Sequence, residues 1–252
     1  MLYLSQLILL TLLTALLSTL TVVVGSFEPY GKRAYRINKI WTWAVLRIGG
    51  VSLNVIGLEH IDPKRRYIFV ANHQSNIDIP VLVQALPQFQ LRWLAKKELL
   101  WVPFFGWAMW ATKHITVDRA DPQDAVNSLQ RAQERLAAGI SLVIYPEGTR
   151  SKDGSLQRFK KGGFLLAVQT HTPIVPITVS GSRAVLPPGG WRLRPGVIEV
   201  TIEEPVTVEG FRPGNLRLLS NQVRDKIASH LPQSDPDQPK AFAHLGHAVV
   251  NR

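Results

Sequence analysis

The sequence predicts an α/β fold: a mostly parallel sheet covered by helices, behind an N-terminal membrane-embedded helix or helix pair. Three observations carry this reading. Short β-rich runs recur along the chain after about Gly50, helical patterns fall between them, and a long uncharged apolar run, Leu2 to Val24, precedes both. Strands alternating with helices imply parallel pairing, because a parallel crossover needs room for a helix. The expected division is residues 1–50 for the membrane segment and an interfacial helix, 51–232 for the folded domain, and 233–252 for a loosely ordered tail with Pro236 and Pro239.

The elements follow in chain order. Leu2 to Val24 contains no charged residue. As a helix it would be about 35 Å long, against a hydrocarbon core of about 30 Å. A cleaved signal peptide is the competing reading, but no Lys or Arg precedes the run and Val23-Val24-Gly25 is a poor cleavage site. A retained membrane segment is therefore expected. Lys32, Arg33, Arg36 and Lys39 follow it, which predicts an inner or cytoplasmic membrane location with the folded domain on the cytoplasmic side. The next apolar stretch, Ile37 to Val51, carries Trp41 and Trp43 with Lys39 and Arg47. That mixture suits a membrane interface, and equally an ordinary surface helix, so a membrane-dipping helix pair stands beside a single span.

Strands are expected at Val51 to Ile56, Tyr67 to Val70, Leu91 to Ala95, Ile115 to Val117, Ser141 to Tyr145, Ile174 to Val179 and Val197 to Ile202. The clearest helix runs from Pro122 to Ala138. Asp121 is its N-cap, Pro122 its first residue, Ala125, Leu129, Ala132 and Leu136 its apolar stripe, and Gly139 its stop. Leu216, Leu219, Val223 and Ile227 mark another helix, stopped by Pro232. There is no internal repeat.

Composition bounds the function. The 252 residues suffice for one α/β domain, and an apolar share of 46 % is that of an ordinary globular protein. Cysteine is absent, which removes disulfides, thiolate metal sites and a cysteine nucleophile. The net charge of +11 favours an anionic partner: nucleic acid, acidic lipid or a phosphorylated substrate. The basic residues are scattered, with no basic tail and no aromatic-interleaved basic motif, so no nucleic-acid partner is expected. No metal-ligand cluster is visible.

The most informative stretch is Asn72-His73-Gln74-Ser75-Asn76-Ile77-Asp78, just after an apolar run. A histidine held by a carboxylate can take a proton near neutral pH. Five residues apart on one helix, His73 and Asp78 would point about 140° away from each other. They meet if His73 lies on a strand-to-helix loop and Asp78 in the first helical turn. Ser75 and Asn76 as candidate N-caps, and Pro80 near a helix start, fit that layout. Asp78 would also offset the positive helix end. A capping carboxylate beside an unrelated histidine is the alternative. Ser75 lacks the Gly-x-Ser-x-Gly context of a nucleophile and is read as a cap.

A second cluster, Tyr145-Pro146-Glu147-Gly148-Thr149-Arg150, begins where a strand ends, the edge at which open α/β sheets bind ligands. Gly148 lets backbone N–H groups approach an anion, Arg150 offers a planar donor fork for phosphate, and Glu147 could orient Arg150 or an acceptor. A surface turn with a solvated ion pair is the bland alternative. A third segment runs from Lys96-Lys97-Glu98 to Val117-Asp118-Arg119 and holds Trp101, Phe104, Phe105, Trp107 and Trp110, a density that suits lipid, an acyl pocket or plain core. A fourth, Phe159-Lys160-Lys161-Gly162-Gly163-Phe164, is a cationic helix entry that can face an anion. His114 and His171 are read as structural.

In this order, the blocks NHQSNID, KKELLWVPFFG closing with ITVDR, YPEGTRS, and PIVPITVSG resemble the lysophosphatidic acid (1-acyl-glycerol-3-phosphate) acyltransferase family of the glycerolipid acyltransferase superfamily, over about Tyr67 to Gly181. The resemblance implies that His73 and Asp78 are catalytic. His73 would deprotonate the sn-2 hydroxyl of a lysophospholipid, which attacks an acyl thioester of coenzyme A or acyl carrier protein, and Asp78 would hold and stabilise the imidazole. It implies that Arg119, Glu147, Gly148, Thr149 and Arg150 serve the acceptor phosphate, with Lys96 less firmly, since Lys97 is adjacent. It implies no metal and no cofactor beyond the acyl-CoA or acyl-ACP co-substrate, and a phospholipid membrane and lysophosphatidic acid as partners. His114 departs from the apolar or small residue expected before Arg119. Another lysolipid, glycerol 3-phosphate or an aminolipid as acceptor, or a non-catalytic protein binding acidic lipid, are the alternatives.

Overall fold

The computed structural model describes residues 2–118, 120–151 and 153–231. Arg119 and the tail beyond residue 231 lie outside the described residues. Two helices open the chain, α1 (Leu2–Ser26) and α2 (Lys32–Ile48), followed by strand β1 (Val51–Ile56). Then come β2 (Ile68–Ala71), α3 (Asp78–Ala85), β3 (Leu91–Lys96), α4 (Phe105–Ala111), β4 (Ile115–Val117), α5 (Pro122–Ala137) and β5 (Ser141–Ile144). The last are α6 (Gly162–Gln169), β6 (Ile174–Ser180), α7 (Ser182–Val185), β7 (Gly196–Ile202) and α8 (Leu216–Ser229).

The seven expected strands form one sheet in the order β1-β7-β6-β2-β5-β3-β4. Every neighbouring pair is parallel except β6 and β7, which are antiparallel. The central strands are buried on both faces, so they read as unbroken apolar runs rather than alternating ones. Period-two geometry still sorts their side chains. Phe69 and Ala71 of β2 join the core layer under α2 and α3, while Ile68 and Val70 join the layer under α5, α6 and α8. Small differences of boundary have local causes. Tyr67 stands before β2, its N–H donating to Ser141 Oγ (3.1 Å), and Tyr145 leaves β5 to begin a turn. In α5 the expected cap forms, with Asp121 accepting from Gln123 N–H (2.9 Å).

The apolar stretch Ile37 to Val51 divides between α2 and the start of β1. Helices α1 and α2 form an antiparallel hairpin: Gln6 near the start of α1 donates to the Ile48 carbonyl at the end of α2 (2.7 Å). The hairpin is tied to the sheet. Arg92 of β3, wholly buried, donates to the carbonyls of Tyr30 (2.7 Å) and Gly31 (3.1 Å) in the link between the helices, and its guanidinium sits over the Tyr35 ring. At the other end Gly25 of α1 meets the Ala111 carbonyl of α4 so closely that a Cβ there would lie 2.5 Å from the oxygen, so only glycine permits this helix crossing. Tyr35, Val45 and Leu46 of α2 lie in the same core as the sheet.

Candidate active site

The loop after β2 leads directly into α3, and Asp78 is the first residue of that helix. This is the layout that the five-residue spacing requires. His73 Nδ1 donates to Asp78 Oδ2 at 2.8 Å, and the same oxygen accepts from the backbone N–H of Gln74 and of Ser75, each at 2.8 Å. A carboxylate oxygen receiving three donors fixes the proton on Nδ1 and leaves Nε2 with its lone pair. Asp78 is fully buried, whereas His73 lines the rim of a cavity. The helix cap itself differs from expectation. Ile77 occupies the cap position with no side-chain cap; Ser75 Oγ accepts from Ile77 N–H (3.2 Å) and donates to the Leu186 carbonyl (2.6 Å). Ser75 therefore stitches the loop to the α7 region and is not a cap.

The Tyr145–Arg150 loop, leaving β5 beside β2, closes on this pair from the side. Gly148 N–H donates to the Tyr145 carbonyl (3.0 Å), and Gly148 has φ of 76°, the left-handed region that glycine adopts freely. Here the glycine serves the turn. The Tyr145 ring stacks on the His73 imidazole, with centroids 3.9 Å apart and planes 10° from parallel. Glu147 does not reach toward Arg150. Its Oε1 accepts from His73 N–H (2.8 Å) and its Oε2 from Gln157 N–H (2.9 Å), and Ser151 N–H donates to the His73 carbonyl (2.8 Å). The backbone of His73 is thus held on both sides by this loop. Burial pushes the Glu147 carboxyl up from its ordinary value, against the pull of the two backbone N–H groups. Asn72 adds a further tie, exchanging two hydrogen bonds with the Val179 backbone (2.9 and 2.7 Å) and so extending the β2–β6 pairing past the strand end.

A cavity of about 670 Å³ opens beside His73. Gly148, Thr149, Arg150 and Lys96 line its polar part. Lys97, the alternative to Lys96, instead lies 3.7 Å from Asp118. Arg150 makes no ion pair among the described residues, which leaves its guanidinium available. The apolar part runs between the sheet and α4, past Trp93, Phe105 and Met109, to α1, where Thr14, Leu17, Ser18 and Thr21 supply one face at helical spacing. The aromatic segment that had three readings therefore splits by face. Phe105 and Met109 turn inward to the cavity, while Trp101 is 85 % exposed and Trp107 and Trp110 are about half exposed. Trp93 and the α1 residues were absent from the expected site, and Tyr145 headed the expected second cluster without a role. Among the described residues, no three of His, Asp and Glu converge as a metal-ligand set.

These features match known proteins. The sequence model of the Acyltransferase family matches residues 52–180, which run from within β1 to the end of β6 and contain both loops. The alpha 1-acyl-sn-glycerol-3-phosphate acyltransferase of Ovis aries is 32% identical over 84% of this chain and 74% of its own length. The chain belongs to the 1-acyl-sn-glycerol-3-phosphate acyltransferase family. The acyltransferase is also 34% identical to the chloroplastic enzyme LPAT1 of Arabidopsis thaliana, over 81% of this chain and 56% of that one. Its fold is that of a crystal structure of the 1-acyl-sn-glycerophosphate acyltransferase PlsC from Thermotoga maritima, with a TM-score of 0.66, 26% identity, and coverage of 90% of this chain and 98% of that one.

His114 lines the cavity of this acyltransferase. Its Nδ1 accepts from Trp93 N–H (3.2 Å), which requires the neutral ring, and burial pushes its pKa down from 6.5 to about 3. The unfolded chain takes up this proton near pH 6.5 and the folded chain only near 3. Between those values the unfolded state binds more protons, so this group makes stability fall as pH is lowered through that window and leaves it unchanged above. His114→Asn is expected to flatten the decline of the thermal midpoint in detergent between pH 6.5 and 4 relative to the parent. Equal slopes for the two proteins would contradict the assignment.

Proposed function

We propose that the enzyme moves a fatty acyl group from a thioester of coenzyme A or acyl carrier protein to the sn-2 hydroxyl of 1-acyl-glycerol 3-phosphate, giving phosphatidic acid for phospholipid synthesis. The observation that carries this reading is one cavity holding His73, its Nε2 free to accept a proton, together with Arg150, Thr149 and Lys96 and a long apolar extension. The names of the relatives support lysophosphatidic acid as acceptor.

In this mechanism the phosphate monoester lies against Arg150, Thr149 and Lys96, with Arg119 as a further expected contact. The acceptor hydroxyl meets His73 Nε2, which takes its proton as the oxygen attacks the thioester carbonyl. The tetrahedral intermediate collapses by expelling the thiolate, which recovers the proton from the imidazolium. Asp78 stabilises that cation, and its hold on Nδ1 keeps Nε2 aimed at the cavity. Glu147 acts through His73, as a positioning residue. No covalent acyl-enzyme and no cofactor take part.

The proposed site of action is a membrane surface. Leu4–Ser26 is long and apolar enough to cross a membrane. Its outward row, Leu4, Ile8, Leu12, Leu16, Leu20 and Val23, is exposed, while Thr14, Ser18 and Thr21 face the cavity. That is the reverse of a soluble helix. Gln6 meets α2 and Gly25 meets α4, so α1 is packed against protein at both ends of about 28 Å of helix, nearly the whole hydrocarbon thickness. This supports a helix pair dipping into the lipid over a lone span. Exposed Trp43, Trp101, Trp107 and Trp110 suit the interfacial zone. The basic start of α2 supports a cytoplasmic position for the domain.

The acceptor is tested by Arg150→Ala. Loss of a charge-assisted phosphate contact, about 1.5–3 kcal/mol, should raise KM for lysophosphatidic acid roughly 10- to 100-fold. Transfer to monoacylglycerol, which lacks the phosphate, should change little. An equal effect on both acceptors would sink the assignment.

A further inference from the structure

A second cavity, of about 390 Å³, lies between the Arg158–Lys161 segment and α8. Four cations line it, Arg158, Lys161, Arg217 and Arg224, along with Ser220 and Asn221, and no acidic side chain does. Arg217, Asn221 and Arg224 stand at i, i+4 and i+7, on one face of α8. Among the described residues none of the four cations pairs with a carboxylate; Arg224 donates to the Leu156 carbonyl (3.3 Å). Lys161 stands at the start of α6, which has no side-chain cap, and a Cβ on Gly162 would meet nothing within 4 Å. Four like charges around one hollow repel each other unless an anion is held there.

We propose that this cavity is a second anion site, and that it binds the phosphates of the acyl donor's carrier. The inference rests on reading the enzyme as one that consumes a pantetheine thioester. Two observations favour the donor over other anions. First, the cavity shares a wall with the active site. Gln157, next to Arg158, donates its N–H to Glu147, which accepts from His73, and Lys160 N–H donates to the Pro146 carbonyl (2.9 Å). Along that bonded path Arg158 lies within about 14 Å of His73, well inside the reach of a pantetheine arm. Second, α8 and α6 cover the sheet face opposite α2 and α3, away from the outward apolar row of α1. A lipid headgroup would sit on the hairpin side, whereas a water-soluble carrier approaches from here. The shared chemistry is a phosphate ester at the far end of the pantetheine arm, as pyrophosphate with a 3′-phosphate in coenzyme A or as phosphodiester in acyl carrier protein.

The test uses the full chain in detergent, with Arg217→Glu and the pair Arg217→Gln/Arg224→Gln. Donor KM should rise at least tenfold, with kcat and the KM for lysophosphatidic acid within twofold of the parent. If coenzyme A is the carrier, acyl-CoA KM moves and inhibition by adenosine 3′,5′-bisphosphate is lost; if acyl carrier protein is, acyl-ACP KM moves and the bisphosphate does not inhibit the parent. An unchanged donor KM overturns the proposal, as does a shift in acceptor KM alone, or weaker binding to anionic vesicles with donor KM unchanged. Absence of transfer from any thioester by the parent enzyme would instead fail the reading of the His73 site. Calorimetric binding of coenzyme A and of 4′-phosphopantetheine to parent and double variant then decides the second site: weaker binding by the variant supports it, and equal or no binding to both proteins overturns it.

Discussion

His73→Ala should lower kcat for acyl transfer by about 10²–10⁴-fold, the contribution of a positioned general base, with little change in the KM of either substrate. The ring stacks on Tyr145 and donates to the buried Asp78, so some loss of thermal midpoint should accompany the kinetic effect, and the kinetic effect is read on the folded variant. Asp78 allows charge and geometry to be separated. In Asp78→Asn one side-chain oxygen can still accept from His73 Nδ1, Gln74 N–H and Ser75 N–H, as Oδ2 does in the parent. The amide nitrogen then takes the place of Oδ1, which has no protein partner. The loop should keep its shape while the imidazolium loses its counter-charge, so kcat falls with the midpoint preserved. Asp78→Ala leaves two buried backbone N–H groups without acceptors, at about 1–3 kcal/mol each, and should lose stability as well. Parent-like turnover by Asp78→Asn would mean that the aspartate is only a loop fastener.

The second large effect is expected at Glu147. Its two oxygens tie His73 to Gln157, and so hold the base through its backbone. Glu147→Gln puts an amide N–H against one of those N–H groups, and Glu147→Ala leaves both without their acceptor. Displacement of a reacting group by about 1 Å can cost 10²-fold. Both variants should therefore lose about two orders of magnitude in kcat while KM for lysophosphatidic acid stays near the parent value. A carboxylate that touched the acceptor would act on KM instead. A rise in KM with kcat unchanged would return Glu147 to the acceptor site.

Much of this architecture was legible in the sequence, for physical reasons. The seven strands were visible as short β-rich runs between turn residues, the central β2, β5 and β6 most plainly because burial on both faces makes them unbroken apolar runs. The meeting of His73 and Asp78 was legible because Pro80 and the polar loop place a helix start between them. What stayed hidden depends on long-range contacts. The antiparallel joint between β6 and β7 leaves no local mark, since a β-rich run reads the same whichever direction its partner runs. Glu147 lies 74 positions from the N–H it accepts, and an acidic residue beside Arg150 in sequence suggests an ion pair that the fold does not make. Thr14, Ser18 and Thr21 read as part of a uniform membrane helix until the position of the sheet shows that their face borders the cavity. The exposed tryptophans and the inward Phe105 and Met109 share one segment, and only the orientation of α4 sorts them.

The most direct test of the central claim, that His73 activates the acceptor hydroxyl for one-step attack on the thioester, is thiol release measured with and without lysophosphatidic acid. With the full-length enzyme at a concentration comparable to the thioester, release should require the acceptor and match phosphatidic acid one for one. No burst should appear in its absence, and His73→Ala should slow the acceptor-dependent release by the same factor, about 10²–10⁴-fold. A stoichiometric burst of thiol before acceptor is added would show an acyl-enzyme, and release without phosphatidic acid would show a hydrolase. Either result would contradict the account.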